Sequence, residues 1–209
     1  MVRACLAPPP LGSRPVFRRA QTGWIEVICG PMFSGKSEEL IRRVTRSQIA
    51  RIPTQTFKPV LDVRFSVAEV VSHSSLSVSA FPVANSAELL KAVDDATEVI
   101  GIDEGQFFDT GLVEVAEQLA AAGKQVIIAG LDLDYLRRPF EPIPTLCGLA
   151  EYVTKMLAVC HRCGGPGVFT QRTIKSSDRV VLGALGAYEA RCRACYDPTE
   201  PEQPSLGLE

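Results

Sequence analysis

Gly30-Pro31-Met32-Phe33-Ser34-Gly35-Lys36-Ser37 decides the fold, because it has the G-x-x-x-x-G-K-[ST] spacing of a phosphate-cradling P-loop and both of its flanks fit that reading. Before it, Trp24-Ile25-Glu26-Val27-Ile28-Cys29 reads as a short, largely buried strand. After it, Ser37 to Val44 puts Leu40, Ile41 and Val44 on one helical face. Strand, glycine-bearing turn and helix together aim backbone N–H groups and a helix dipole at a bound anion. In such a loop Lys36 brings a positive charge to the β- and γ-phosphates, and the Ser37 hydroxyl can coordinate Mg²⁺.

Downstream the alternation of strand and helix continues. Gln55-Thr56-Phe57-Lys58-Pro59 reads as a second strand, ended by its proline. A helix starts at Asn85 or Ser86, either of which can cap it, and runs to Ala92-Val93. Glu98-Val99-Ile100-Gly101-Ile102 is an apolar third strand that delivers Asp103-Glu104 at its C-terminal end, where ligands gather in open parallel sheets. A helix from Leu112 through Ala122 ends at Gly123, and Gln125 to Gly130 is the fourth strand. A further helix is expected around Cys147 to Met156, after the loop broken by Pro139, Pro142 and Pro144. Continuous apolar strands separated by helices predict an α/β fold, a P-loop NTPase-type parallel sheet covered on both faces.

Asp103-Glu104 has the form of a Walker-B pair: an aspartate that holds Mg²⁺ and a neighbouring glutamate able to act as a base. By itself such a pair is equally at home in a solvated turn, and the upstream P-loop tips the reading toward metal and base. The acceptor stays open, since the glutamate can activate either water or a substrate hydroxyl.

From Cys160 the texture turns to glycine, cysteine and polar residues. Cys160-His161-Arg162-Cys163 and Cys192-Arg193-Ala194-Cys195 form two C-x₂-C knuckles, with a longer segment between them than a zinc ribbon commonly has. Four thiolates close a tetrahedral Zn²⁺ shell, which makes the site structural, and His161 inside a knuckle is read as a solvated bystander. The ion pins both ends of the segment between Gly164 and Arg191 into a lasso. The other three of the seven cysteines, Cys5, Cys29 and Cys147, follow no metal spacing, and an odd total argues against a disulfide framework. Phe107, Phe108, Tyr135 and Tyr188 lie near these motifs; aromatics are ordinarily core, but Phe107 and Tyr188 are held as base-stacking candidates.

The chain has 209 residues, 46% of them hydrophobic, which suffices for one sizeable core plus a small module. The expected division is a flexible extension over 1–22, an α/β domain over 23–157, a zinc-binding lasso domain over 158–196 and a disordered tail over 197–209. The extension carries Pro8-Pro9-Pro10 and four arginines; its successive prolines suit an organelle-targeting helix badly. A formal net charge of −2 and a pI near 5.8 give no global field toward nucleic acid or an anionic membrane. No apolar run approaches the ~20 residues that span a bilayer, so a cytoplasmic protein is expected.

The P-loop, the string Asp103-Glu104-Gly105-Gln106-Phe107-Phe108 and the two cysteine knuckles, in this order, closely resemble the type II, zinc-containing thymidine kinase family. Phe57-Lys58-Pro59, Asp62-x-Arg64 and Gly183 with Tyr188 ahead of Cys192 also fit, so the resemblance runs from about Trp24 to Tyr196 and is most like bacterial members. It implies transfer of the ATP γ-phosphate to the thymidine 5′-hydroxyl in deoxynucleoside salvage. ATP would lie on Gly30, Pro31, Met32, Phe33, Ser34, Gly35, Lys36 and Ser37, with Asp103, Glu104, Gly105 and Gln106. Mg²⁺ would sit near Ser37 and Asp103, Glu104 would be the catalytic base, and Lys36 and Arg64 would help in catalysis at the phosphates. Phe107 and Tyr188 would flank thymine, Arg179, Val180, Val181, Leu182 and Gly183 would read its polar edge, and Met32, Leu131, Tyr135 and Thr170 would complete the pocket. The resemblance further implies a homotetramer and feedback inhibition by dTTP. Tyr135-Leu136-Arg137-Arg138-Pro139-Phe140 and Phe65 depart from the bacterial pattern. The rival reading is a zinc-ribbon P-loop ATPase acting on nucleic acid, against which stand the acidic pI and the lack of a basic stripe interleaved with aromatics.

Overall fold

A computed structural model describes residues 22–60, 69–71, 77–174 and 186–197. Its centre is a six-stranded sheet in which every pairing is parallel. The strands are β1 (Trp24–Cys29), β2 (Thr54–Pro59), β5 (Phe81–Val83), β6 (Val99–Ile102), β7 (Gln125–Gly130) and β8 (Tyr152–Lys155), in the spatial order β5-β2-β6-β7-β1-β8. A short antiparallel pair, β3 (Glu69–Val71) with β4 (Ser77–Ser79), precedes β5 in the chain. Parallel neighbours need crossover helices, and these bury both faces of the sheet.

Alternate side chains of one strand separate into two cores. Ile25, Val27 and Cys29 of β1 join Ile100, Ile102, Val126 and Ile128 beneath α2 (Ser86–Ala92), α3 (Leu112–Ala121) and α4 (Ile143–Leu149). Ile28, Ile127 and Ala129 face the other way, against Leu40, Ile41 and Val44 of α1 (Lys36–Ile49), the residues whose spacing marked that helix as one-sided. Asn85 caps α2, its side chain accepting the Glu88 N–H at 2.9 Å, and Gly123 takes φ +88° just past α3.

One expected element differs. The helix expected from Cys147 to Met156 is instead α4, closed at Leu149, followed by edge strand β8. Ala150 is already extended at φ −68°, ψ 141°, and Tyr152-Val153-Thr154 suits a pleated edge better than a helix. The adjoining Glu151 carboxylate accepts the Ile25 N–H at 2.7 Å, and β8 then pairs with β1 over four residues.

Beyond β8 the chain makes small antiparallel pairs: β9 (Ala158–Val159) with β10 (Pro166–Gly167), and β11 (Phe169–Arg172) with β12 (Tyr188–Arg191). Among the described residues no helix is long and apolar enough to cross a membrane. The extension and the tail read from the sequence fall outside the described residues, apart from Thr22 and Asp197.

Candidate active site

Strand order alone brings the two phosphate-directed motifs together. β1 and β6 flank β7, so the P-loop after β1 and Asp103-Glu104 after β6 leave the same C-terminal edge of the sheet two strands apart, about 10 Å at the usual strand spacing. Side chains close that gap: the Ser37 hydroxyl donates to the Asp103 carboxylate at 3.1 Å.

The P-loop backbone needs its glycines. Gly30 has φ +143° and Gly35 φ +81°, and a Cβ on Gly30 would lie 2.3 Å from the Met156 carbonyl. Inside the loop the Ser34 hydroxyl and the Lys36 ammonium both donate to the Pro31 carbonyl, at 2.8 and 2.7 Å. Burial lowers the pKa of Lys36, partly offset by the negative charges of Glu104 and Asp103. Asp103 is buried and its pKa is raised to about 7, first by desolvation and then by the adjacent Glu104 charge, with the Ser37 hydrogen bond acting in the opposite sense. A cation between these groups would relieve both causes, and a hydroxyl beside a carboxylate is the hard-oxygen donor set that Mg²⁺ takes.

Glu104 stands in the left-handed region at φ +51°, ψ +41°, a conformation costing a non-glycine residue about 1–3 kcal/mol and found mainly where function needs it. It opens the single 3₁₀ turn Gly105–Phe107. The buried Gln106 donates from Nε2 to the Glu104 carboxylate at 2.5 Å, while its Oε1 accepts the Leu131 N–H at 2.9 Å. Gln106 thus ties the glutamate to the exit of β7. Gly130 keeps that route open, since a Cβ there would come within 2.8 Å of the Gln106 Oε1.

The C-terminal segments reach back to this edge. The Thr170 hydroxyl of β11 accepts the Met32 N–H of the P-loop at 3.0 Å. Arg172, only 2% exposed, lies with its guanidinium 3.6 Å from the centre of the Tyr135 ring and donates to the Tyr188 hydroxyl at 3.1 Å. Tyr196 donates to the Tyr135 carbonyl at 2.6 Å, and Arg137 stacks over the Tyr196 ring at 4.6 Å. Phe107 meets Phe140 edge to face at 6.1 Å. Met32, Tyr135, Thr170 and Tyr188 are therefore joined through direct contacts or through Arg172, whereas Phe107 packs on the Phe140 side of the same loop. Arg172 was not singled out in the sequence; an arginine alternating with Thr170 on a short strand is its only local signal. Arg64 and the stretch from Arg179 to Gly183 lie outside the described residues.

Cys160, Cys163, Cys192 and Cys195 converge, their sulfur atoms all within 4.8 Å of one another, and the Cys163 and Cys192 sulfurs are 3.7 Å apart. Tetrahedral Zn²⁺ with Zn–S bonds of about 2.3 Å spaces its sulfurs about 3.8 Å apart. The donor set and spacing fit a closed structural zinc site. His161 is exposed and turned toward Glu189 at 3.6 Å, away from ligand duty.

A family model described as thymidine kinase matches residues 23–196. The chain is 53% identical over 183 residues to the thymidine kinase of Rhodothermus sp. (strain ITI 518), an alignment covering 88% of this chain and 85% of that protein. It is 51% identical over 174 residues to the thymidine kinase of Bacteroides fragilis (strain YCH46), covering 83% and 87%. With the thymidine kinase of Bdellovibrio bacteriovorus it shares 48% identity over 184 residues, covering 88% and 90%.

Proposed function

The chain belongs to the thymidine kinase family, and from that premise we propose that it transfers the γ-phosphoryl group of ATP to the 5′-hydroxyl of thymidine, giving dTMP. The observation that carries this reading is the Thr170–Met32 hydrogen bond, which ties the phosphate loop to β11, the strand paired with β12 and its base-stacking candidate Tyr188. A donor site and an acceptor site then share one wall.

ATP phosphates lie along Gly30 to Ser37, with Lys36 released from the Pro31 carbonyl to meet them. Ser37 and Asp103 would hold Mg²⁺, which when bound neutralises charge on the β- and γ-phosphates. Glu104, held by Gln106, takes the proton of the 5′-hydroxyl as that oxygen attacks in line. Tyr188 and Phe107 contact thymine, Tyr135, Thr170, Met32 and Leu131 complete its pocket, and Arg172 sets the two tyrosines. Arg64 joins the phosphates and Arg179 to Gly183 the polar edge of the base, on motif resemblance. The same reading includes dTTP as feedback inhibitor, a homotetramer and a division between an α/β domain over 23–157 and a zinc-held domain over 158–196. It also sets the protein in the cytoplasm, where thiolate ligands stay reduced.

ADP release measured with thymidine and, separately, with single-stranded DNA tests the reading. Release that depends on thymidine supports it. Release stimulated by DNA and indifferent to thymidine overturns it in favour of a nucleic-acid ATPase.

A further inference from the structure

Cys29 and Cys147 belong to no metal cluster, yet the fold brings these two thiols together from β1 and α4. Cys29 is the last residue of β1 and precedes the first P-loop glycine. Its side chain lies on the face of the sheet covered by α4, in the apolar cluster against which Cys147 packs. Both line one cavity of about 320 Å³, together with Asp132 and Lys155, which pair with each other across it. The Lys155 side chain is 49% exposed, so the cavity opens to solvent. Cys147 is itself half-buried, and neither cysteine is in a disulfide.

We propose that Cys29 and Cys147 form a reversible modification site, a dithiol that a hydroperoxide oxidises to a disulfide joining the root of the P-loop to α4. The Cys29 thiolate attacks one oxygen of the peroxide, the O–O bond breaks, and the departing hydroxide takes up a proton as water. That leaves Cys29 as a sulfenic acid. The Cys147 sulfur then attacks the Cys29 sulfur, the S–O bond breaks, and the leaving hydroxide carries off the Cys147 proton as a second water. Two thiols and one hydrogen peroxide become one disulfide and two waters.

The surroundings favour this order of events. The neighbouring Cys147 side chain lowers the Cys29 pKa, burial and the negative charge of Asp132 oppose it, and the positive charges of Lys155 and Lys36 reinforce it. The adjacent Cys29 side chain, with burial, raises the Cys147 thiol, leaving it as the resolving partner. An S–S bond of about 2 Å is shorter than any non-bonded sulfur contact, so the two elements must close on each other. β1 is held between β7 and β8, whereas α4 is a seven-residue helix ending the loop that carries Tyr135. The helix gives way, and the loop is drawn with it. This consequence for turnover rests on the thymidine kinase reading; formation of the bond does not.

The test treats the whole zinc-loaded chain with hydrogen peroxide under conditions that retain the zinc, then maps peptides without reduction and assays thymidine-dependent turnover. The expected result is a Cys29–Cys147 cross-linked peptide pair lighter by two hydrogens, with turnover lost in proportion and restored by dithiothreitol. Cys147→Ala should keep its basal turnover and lose the reversible, thiol-sensitive inhibition. Mapping of the wild-type chain stands by itself if that variant folds poorly. Cys29 and Cys147 recovered only as free thiols or as over-oxidised acids, while the zinc cysteines cross-link, overturns the proposal. A complete cross-link with unchanged thymidine turnover overturns its coupling to the loop.

Discussion

The α/β body and the cysteine-bearing end of the chain are held together by different forces. In the body, Val27, Ile28, Leu40, Ile100, Ile127, Ile128 and Leu112 have no exposure at all, and two apolar layers sandwich six strands. Among the described residues past Lys155 the strands come in pairs of two to four residues, and the buried apolar side chains are few, among them Ala158, Phe169, Ala187, Tyr188 and Ala190. Apolar burial of this extent offsets only part of the entropy of ordering these short strands. Alongside it stand four converging cysteines and guanidinium–aromatic stacks from Arg137, Arg172 and Arg193. In the proposed kinase site the phosphate half is built on the first kind of structure, and the nucleoside half on the second.

Cys192→Ser should separate the two regions most severely. Structural zinc contributes on the order of 10 kcal/mol to folding of small metal sites, so this variant should lose its metal and its thymidine binding. The body should still bind ATP and keep its thermal transition. Metal analysis beside calorimetry checks it, and a body that melts along with the lost zinc would erase the distinction. Glu104→Gln probes the phosphate half alone. It should lower kcat by about 10²–10⁴-fold, the worth of a positioned base, with zinc content and ATP affinity intact; steady-state kinetics with a nucleotide-binding titration decides it.

Arg172→Lys keeps the charge and removes the planar stack between Tyr135 and Tyr188. It should raise the KM for thymidine about tenfold while leaving that for ATP unchanged, a loss near the 1–2 kcal/mol of a desolvated cation–aromatic contact. An equal rise for both substrates would show that Arg172 serves the whole fold. The smallest effect belongs to the body's surface. Glu39 is held down to about 2, from about 4.5, first by its hydrogen bond from Arg42 and then by Arg43. A depressed carboxylate stabilises the fold above its unfolded pKa and loses that contribution as pH falls through the folded one. Glu39→Gln should therefore cost on the order of 1 kcal/mol near neutral pH, and the gap to wild type should close between about pH 4.5 and 2. Denaturant melts at stepped pH measure that gap.

The phosphate half was readable because each of its parts is contiguous: Gly30 to Ser37 and Asp103-Glu104 announce themselves within a few residues. The cysteine knuckles were readable for the same reason. Residues 152–155 misled because their apolar pattern is short, and only pairing with β1 decides between helix and strand. Arg172 escaped notice because its partners, Tyr135 and Tyr188, lie in two other segments.

The α/β alternation, the P-loop motif, the acid pair and the two cysteine knuckles were legible in the sequence, since spacing along the chain suffices to carry each. The tertiary structure decided what meets across it: Thr170 on Met32, 138 residues apart, Gln106 between Glu104 and Leu131, and Cys147 against Cys29. Such contacts depend on strand order and on which face each side chain takes, and both emerge only when the sheet closes its two cores.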